Sequence, residues 1–576
     1  MEHPWLQFYD PRTPLTLTYP DKLLDQFLDE AVRDYPDRTA ITFVLRYLLG
    51  DKIRIGGTLD YRHLRDQVDR FATALADMGV RKGDRVAVML PNSPQFVVAF
   101  FAAMRLGAIV VNTNPTYTAP EIQHQVADSG AETIVLLNLF LPRLRKVQAN
   151  LPQLKRVIVT TIDDPLRFPA SALVRRAQRR EADWVDVVPD ATTFRFADLL
   201  ARYPAAPPQV QRSPDDVALF QYTGGTTGVP KAAMLTHRNL VSNTLQAEAW
   251  LVDKQRGGER MMCAIPFFHV YGMTVGMILS VSLASNMIVV PNPRPIEYVM
   301  SVIQRERATI FPGVPAMYIG VINHPDVAKY DLTCVRACLS AAAPLPMEVQ
   351  ERFGEITGGR LVEGYGLTET SPLTHANPIY GLRKPGSIGV PVTDVEARLV
   401  DIETGAPIPL GADAEGELCV RGPQVMKGYW ERPEETAECL SADGWFRTGD
   451  IARTDADGYF YIVDRKKDMI IASGYKVLPR EIEEVLFTHP AVQEAAVVGV
   501  PDAYRGETVK AYIVLKAGMR LSDEEVIAHC RASLAPYKVP RLVEFRAELP
   551  KTTIGKVLRR MLVAEEREKQ ALALKS

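Results

Sequence analysis

Cysteine is scarce and unpaired in this chain. The six cysteines, at 263, 334, 338, 419, 439 and 530, form no CxxC pair and match no zinc spacing. That excludes a disulfide scaffold and fits a reducing cytoplasm. Strong charge is also missing. A net charge of -2 creates no global field that calls for nucleic acid or an acidic partner. Long apolar runs are few. Phe96 to Val111 is broken by Arg105 and Gly107, and Met273 to Val290 carries serines and Asn286. Both read as core helices or helix–strand pairs rather than membrane spans. The N-terminal MEHPWLQFYDPRTP has no basic stretch leading into an apolar one, so no secretory signal is expected. No internal repeat is visible.

The chain has enough apolar residues for a large core. Hydrophobic residues are 47% and charged ones 24%, so disorder is not the default. A length of 576 residues is too great for one compact core. Short β-branched runs alternate with helical patterns: Val86–Leu90, Ile109–Val111, Thr133–Leu137, Val157–Val159 and Met287–Val290. This alternation predicts parallel sheets packed between helices. From Val390 the texture changes to alternating strands separated by turn residues, which predicts a small β-rich subdomain over about 390–463. The charged stretch Asp464-Arg-Lys-Lys-Asp468 then breaks the pattern and marks a boundary. Beyond it, Pro479–Leu486 reads as a helix, and Ser522-Asp-Glu-Glu525 is a capping box opening another. The expected fold class is therefore α/β. A large N-terminal domain over 1–463 precedes a boundary at 464–468 and a small α+β domain over 469–576.

Polar density concentrates in a few turns. Tyr222-Thr-Gly-Gly-Thr-Thr-Gly-Val-Pro-Lys231 follows an apolar strand. Its glycines allow close backbone approach, and Lys231 adds a full charge, so the loop suits phosphate oxygens. It lacks the Gly-Lys-Ser/Thr spacing of a Walker loop. A Gly/Thr-rich surface turn is the alternative. Glu363-Gly-Tyr-Gly-Leu-Thr-Glu369, Trp445-Phe-Arg-Thr-Gly-Asp450, Asp464-Arg465 and Pro550-Lys-Thr-Thr-Ile-Gly-Lys-Val557 are further polar turns. Singly, each is as well explained as a turn or a solvated charge.

In this order they resemble the acyl-adenylate-forming superfamily of acyl-CoA synthetases, luciferases and adenylation domains. The resemblance runs from about Leu23 to about Arg560. It is nearest to bacterial long-chain fatty-acid–CoA ligases through YTGGTTGVPKAAMLTH (222–237), DGWFRTGD (443–450) and DRKKDMIIASGYKVLPREIE (464–483). It implies an enzyme that joins a fatty acid to coenzyme A through an acyl-AMP, with ATP, coenzyme A and Mg2+. The runner-up is the same chemistry on an aryl or short aliphatic acid, or with a carrier-protein acceptor.

The resemblance also implies roles for single residues. Thr223, Gly224, Gly225, Thr226, Thr227, Gly228 and Lys231 would hold the β- and γ-phosphates. Tyr365 would pack on adenine, with the Ala342 backbone beside it. Thr368 would meet the α-phosphate and Glu369 the Mg2+. Asp450, assisted by Arg465, would accept the ribose hydroxyls. Lys556 would bridge the attacking carboxylate and the α-phosphate, and Lys467 would be the hinge on which its domain turns. Ser473, Gly474 and Tyr475 would face the thiol donor, although Gly474 reads equally well as a β-turn glycine. His269 would orient the acid, or is a plain core histidine. Met273 matches an aromatic tunnel gate of one long-chain relative, a departure that puts such a gate in doubt. Gly313 would leave room for the acyl chain, or is a turn.

One segment looks inserted. Residues 164–204 hold Arg167, Arg175, Arg176, Arg179 and Arg180 among Leu166, Phe168, Leu173 and Val174. Such a basic amphipathic patch can rest on an anionic membrane surface. The alternative is a solvated helix on a variable loop. The expected location is cytoplasmic, with the inner membrane surface as the place of any peripheral contact. A second copy of the chain is a candidate partner.

Overall fold

The protein is described by a computed structural model over residues 3–48, 53–223, 230–343, 345–411, 414–466, 468–472, 475–502, 506–552 and 555–573. Three sheets build the larger part of the chain. The first has eight strands, and its six inner and far-edge members run parallel. In spatial order these are Val217–Thr223, Ile109–Asn112, Arg85–Met89, Thr133–Leu137, Arg156–Thr160 and Thr193–Arg195. Lys231–Thr236 and Gly428–Tyr429 add on antiparallel at the other edge.

Four of the β-branched runs read from the sequence are strands of this sheet and Met287–Val290 is a strand of the next, with ends shifted by at most one residue. The helix Pro94–Arg105 is buried along nearly its whole length. Its sequence, PQFVVAFFAAMR, is apolar on every side, as a helix enclosed by other elements must be. Ser93 caps it by accepting from the Phe96 amide, and Pro94 opens it where no intrahelical amide is needed. This helix and the strand Ile109–Asn112 account for the apolar stretch from Phe96. Met273 to Val290 resolves into a wide π-type turn at Gly272–Ile278, a short helix at Leu279–Ser282 and the strand Asn286–Val289. Among the described residues no helix is long and apolar enough to cross a membrane.

The second sheet joins Arg260–Cys263, Asn286–Val289, Thr39–Leu48 and Ile53–Asp60. Bridges through Ile310 connect it to Ala337–Ser340, Arg360–Gly366, Leu373–Ala376 and Val390–Pro391. The third sheet is antiparallel and five-stranded: Pro407–Ile408, Glu396–Val400, Gly416–Arg421, Phe446–Thr454 and Phe460–Arg465. A separate sheet follows it. Gly506–Leu515 lies at its centre, with Val492–Asp502, Ile470–Ala472 and Leu542–Phe545 around it. Its core of Ile470, Ile482, Val497, Ile513 and Cys530 is a cluster of its own. The helices Pro479–Phe487, Asp523–Ser533 and Arg559–Ala573 complete this unit.

The arginine-rich segment 164–204 contributes the edge strand Thr193–Arg195 and the helices Ala170–Gln178 and Phe196–Arg202. The first of these helices has no buried residue.

Candidate active site

The parallel strands of the first two sheets end on one side, and a cleft of about 2840 Å³ opens there. Asn112 and Thr223, at the carboxyl ends of their strands, line it. So do Leu339 and the Gly364–Gly366 end of Arg360–Gly366. Loops at such strand ends are where open α/β sheets bind ligands. The five-stranded sheet supplies a second wall through Thr448, Gly449, Asp450 and Arg465, and the C-terminal unit a third through Lys551, Thr552 and Lys556. Residues more than 300 positions apart in the sequence therefore share one space.

Strand pairing aligns the polar side chains. Asp450 and Arg465 are direct cross-strand partners, and the Arg465 guanidinium lies 3.3 Å from the Asp450 carboxylate. The Tyr365 hydroxyl donates to the other oxygen of Asp450 at 2.5 Å. Burial, reinforced by that carboxylate, pushes the Tyr365 phenol far above its ordinary value, so it stays a donor. The backbone of this turn is tightly packed. A Cβ on Gly366 would fall 1.8 Å from the Pro372 carbonyl oxygen, so only glycine fits there. Ala342, also on the cleft, holds φ at +73°, a strained value for a residue with a side chain.

Lys231 and Glu369 meet through residues that sequence reading did not single out. Thr223 pairs with Lys231 across a hairpin, so the glycine-rich connection joins two antiparallel strands. Gly428–Tyr429 pairs with the Lys231 strand at Ala233 and Met234. This brings the Tyr429 ring within 5.3 Å of the Lys231 ammonium, and Tyr429 donates its hydroxyl proton to Glu369 at 2.8 Å. Lys231 is ion-paired with Glu435. Thr368 opens the short turn Thr368–Thr370 and faces the same cleft. Among the described residues no three His, Cys, Asp or Glu side chains cluster as a metal cage. Glu369, on the cleft beside Thr368, suits Mg2+, which takes one or two carboxylates and fills its shell with phosphate oxygens and water.

His269 lines the cleft beside the wide helical turn. Its Nδ1 accepts from the Tyr271 amide at 3.3 Å, so in the neutral ring the proton sits on Nε2. Burial, and then the nearby Lys556 charge, lower its pKa to about 4. The imidazole is therefore neutral near pH 7 and can donate without adding positive charge.

Lys556 sits in a tight turn. Thr552 donates its amide to the Lys556 carbonyl at 2.8 Å, and its hydroxyl accepts from the Lys556 amide at 3.1 Å. Gly555 and Lys556 line the cleft together with Ala316, so this turn is seated on it.

Two carboxyls at the junction of the units are held toward their neutral forms. Burial raises Glu363 to about 8, against the nearby Arg480. Burial also raises Asp464 to about 6, against amide hydrogen bonds from Arg480 and Arg465.

The remaining positions are placed as follows. Met273 is fully buried behind the cleft wall, where its sulfur accepts from Asn112 at 3.3 Å. Gly313 packs under Tyr318, whose ring a Cβ there would strike at 2.7 Å. Gly224, Gly225, Thr226, Thr227, Gly228, Lys467, Ser473 and Gly474 lie outside the described residues, as does the Tyr475 side chain.

Fold and cleft define a two-unit α/β protein with a cleft of charged and apolar walls where the units meet. The AMP-binding enzyme model matches residues 28–430, and the AMP-binding enzyme C-terminal domain model matches 481–556. The chain belongs to the AMP-binding enzyme family. It is 45% identical over 570 residues to a long-chain-fatty-acid–CoA ligase of Bacillus subtilis, covering 98% of this chain and 99% of the relative. It is 40% identical to one of Escherichia coli O157:H7, covering 99% of each. A feruloyl-CoA synthase of Amycolatopsis is 38% identical over 88% of this chain and 94% of its own length. Among solved structures, an anthranilate CoA ligase in complex with anthranoyl-AMP superposes with TM-score 0.81 at 28% identity, covering 96% of this chain and 99% of that one. A Mycobacterium tuberculosis fatty acyl CoA synthetase gives TM-score 0.67 at 30% identity, covering 94% and 98%.

Proposed function

We propose that this chain is an AMP-forming ligase that joins a medium- or long-chain fatty acid to coenzyme A. The acid attacks the α-phosphate of ATP to give acyl-AMP and pyrophosphate, and the thiol then displaces AMP. The observation that carries this reading is the convergence of Tyr365, Asp450, Arg465, Glu369 and Lys231 with Lys556 on one cleft. Bacterial relatives 39–45% identical over nearly their full length, all named long-chain-fatty-acid–CoA ligases, support the fatty-acid assignment.

The first step drives an anion onto a polyanion. Two unit charges about 4 Å apart repel by roughly 4 kcal/mol at an effective dielectric of 20. The site meets this with position and charge. Asp450, oriented by Tyr365 and Arg465, accepts the ribose hydroxyls. The Tyr365 ring packs on the base beside the Ala342 backbone. Lys231 and the 223–228 loop steady the β- and γ-phosphates, and Thr368 meets the α-phosphate. Glu369, oriented by Tyr429, would hold Mg2+, which when bound would supply positive charge to phosphate oxygens. Neutral His269 donates from Nε2 to orient the acid, and Lys556 bridges the acid and the α-phosphate. Apolar lining from Val270, Val275, Val314, Ile319 and Ile322 suits an acyl chain.

The second step needs Lys556 withdrawn and a thiol admitted. We assign this to rotation of the C-terminal unit about residue 467, which presents the 473–475 stretch. The strand Phe460–Arg465 ends one sheet, and Ile470–Ala472 begins the next, so few residues connect the two. Such short connections absorb hinge motion.

We also assign a membrane-surface contact to the insert. Phe168 is 83% exposed and Leu173 58% exposed. Arg175 and Arg179 pair with Asp163 and Asp186, while Arg167, Arg176 and Arg180 have no carboxylate partner among the described residues.

Pyrophosphate release measured across acyl lengths and aryl acids tests the substrate. Fatty acids of medium or long chain should give the highest kcat/KM. If ferulate, benzoate or anthranilate outperforms every fatty acid, the fatty-acid assignment fails and the adenylation chemistry stands.

A further inference from the structure

The helix Pro479–Phe487 has no cap of its own. Its N-cap residue is Leu478, whose side chain accepts nothing. Four amides at a helix start need partners, and Ser, Thr, Asp or Asn normally supplies one. Here the acceptor comes from another sheet. Asp464, on the strand Phe460–Arg465, accepts from the Arg480 amide through Oδ2 at 2.8 Å. Its Oδ1 accepts from the Arg465 amide at 2.7 Å. Asp464 is only 3% exposed, so water does not substitute easily for these bonds. The carboxylate also faces the positive end of the helix dipole.

Several charged groups pack around this contact. Arg559 binds Glu483 at 2.7 Å and Asp468 at 3.0 Å. It opens the helix Arg559–Ala573, three residues after Lys556. Glu483 also accepts from the Val497 amide. The capped helix, residue 468 and the Lys556 turn are thus tied into one body. Asp464 holds that body from the far side of residue 467.

We propose that Asp464 is a positioning residue. It lends its carboxylate as the N-cap of the C-terminal unit's helix, latches that unit with Lys556 on the cleft, and must release it before thioester formation. Turning the unit about residue 467 carries the Arg480 amide away from Asp464, so the bond belongs to one orientation only. This rests on the two-step reading above.

The test separates the half-reactions in Asp464→Ala and Asp464→Asn. Acyl-AMP formation is followed by pyrophosphate release, and thioester formation is followed from supplied acyl-AMP and coenzyme A. Loss of a charge-assisted cap shifts the orientation equilibrium about tenfold. Acyl-AMP formation in Asp464→Ala should therefore fall about tenfold, with thioester formation unchanged or faster. Asp464→Asn, which keeps one acceptor, should fall between this variant and wild type. Equal loss in both half-reactions, or unchanged acyl-AMP formation, overturns the latch. If Asp464→Ala melts at the assay temperature, Asp464→Asn decides by the same split. A wild-type chain that forms no acyl-AMP from any fatty acid overturns the function itself, and the latch with it.

Discussion

Replacing Lys556 with alanine removes the one cation that the Thr552–Lys556 turn places at the cleft from the C-terminal unit. The neighbouring His269 cannot stand in for it, because its pKa of about 4 leaves the ring uncharged near pH 7. Repulsion between the incoming carboxylate and the α-phosphate, about 4 kcal/mol at 4 Å and an effective dielectric of 20, then goes unopposed at this point. That corresponds to roughly three powers of ten in rate. Lys556→Ala should therefore lower single-turnover acyl-AMP formation about a thousandfold. Thioester formation from supplied acyl-AMP should stay within about threefold of wild type, since that step needs the lysine withdrawn. Lys467→Pro should do the reverse, stiffening the connection on which the unit turns. Quenched-flow assays with radiolabelled ATP and with synthetic acyl-AMP measure the two steps separately. Equal losses in both steps for Lys556→Ala would falsify the assignment of this lysine to the first step.

Tyr365→Phe keeps the ring but removes the hydroxyl from Asp450, and should raise KM for ATP about tenfold with kcat little changed. An unchanged KM would mean that Arg465 alone orients the carboxylate. Tyr429→Phe should raise the Mg2+ concentration for half-maximal pyrophosphate release by about tenfold to a hundredfold, since it frees Glu369 from its donor; an unchanged Mg2+ response would separate Glu369 from the metal. Glu363 has its folded pKa raised to about 8 from 4.5, so its cost to folding appears as pH rises above 4.5 and is complete above 8. Glu363→Gln should be the more stable protein at pH 8, by up to about 4 kcal/mol, and equal to wild type near pH 4.5; denaturant melts at both pH values decide. Changing Phe168 and Leu173 together to aspartate should lower co-sedimentation with anionic vesicles at least about tenfold, and unchanged binding would remove the insert from the membrane contact.

The parallel sheets were legible because each buried strand is a short β-branched run, and burial on both faces makes such runs continuous rather than alternating. The turns carrying Tyr365, Glu369, Asp450 and Arg465 were legible because glycine and charge together are unusual at strand ends. Tyr429 and Glu435 were not. Tyr429 belongs to a two-residue strand too short for any periodicity, and its place beside Lys231 is set by pairing with residues about 200 positions earlier. Met273 shows a different limit. Its position in the sequence was plain, but it lies in a π-type turn. One extra residue per turn changes which side chains face the cleft, so Val275 lines it while Met273 points into the core. The cap at Asp464 was hidden for a related reason. Leu478 carries no capping signal, and nothing local says that the acceptor will come from another sheet.

The charge on the cleft walls gives a reason for the proposed bond-making cation, Lys556, to ride on a separate unit. Among the described lining residues before 467, nine are acidic and six basic. Beyond 467, three are acidic and six basic. Glu363, held toward neutrality by burial, lessens the acidic excess without reversing it. On the proposed roles, the fixed walls would hold a nucleoside through Asp450 and Tyr365 but offer little net attraction for a triphosphate and a carboxylate together. With the C-terminal unit in place the count evens, and Lys556, Lys551 and Arg560 bring positive charge to where negative charge gathers. In the proposed rotation the positive charge would leave with that unit, and the acidic walls that remain would favour departure of pyrophosphate. On this account one rotation changes both the geometry and the electrostatic preference of the site. Raising the salt concentration screens both effects, so it should slow acyl-AMP formation and pyrophosphate departure while leaving nucleoside binding nearly constant.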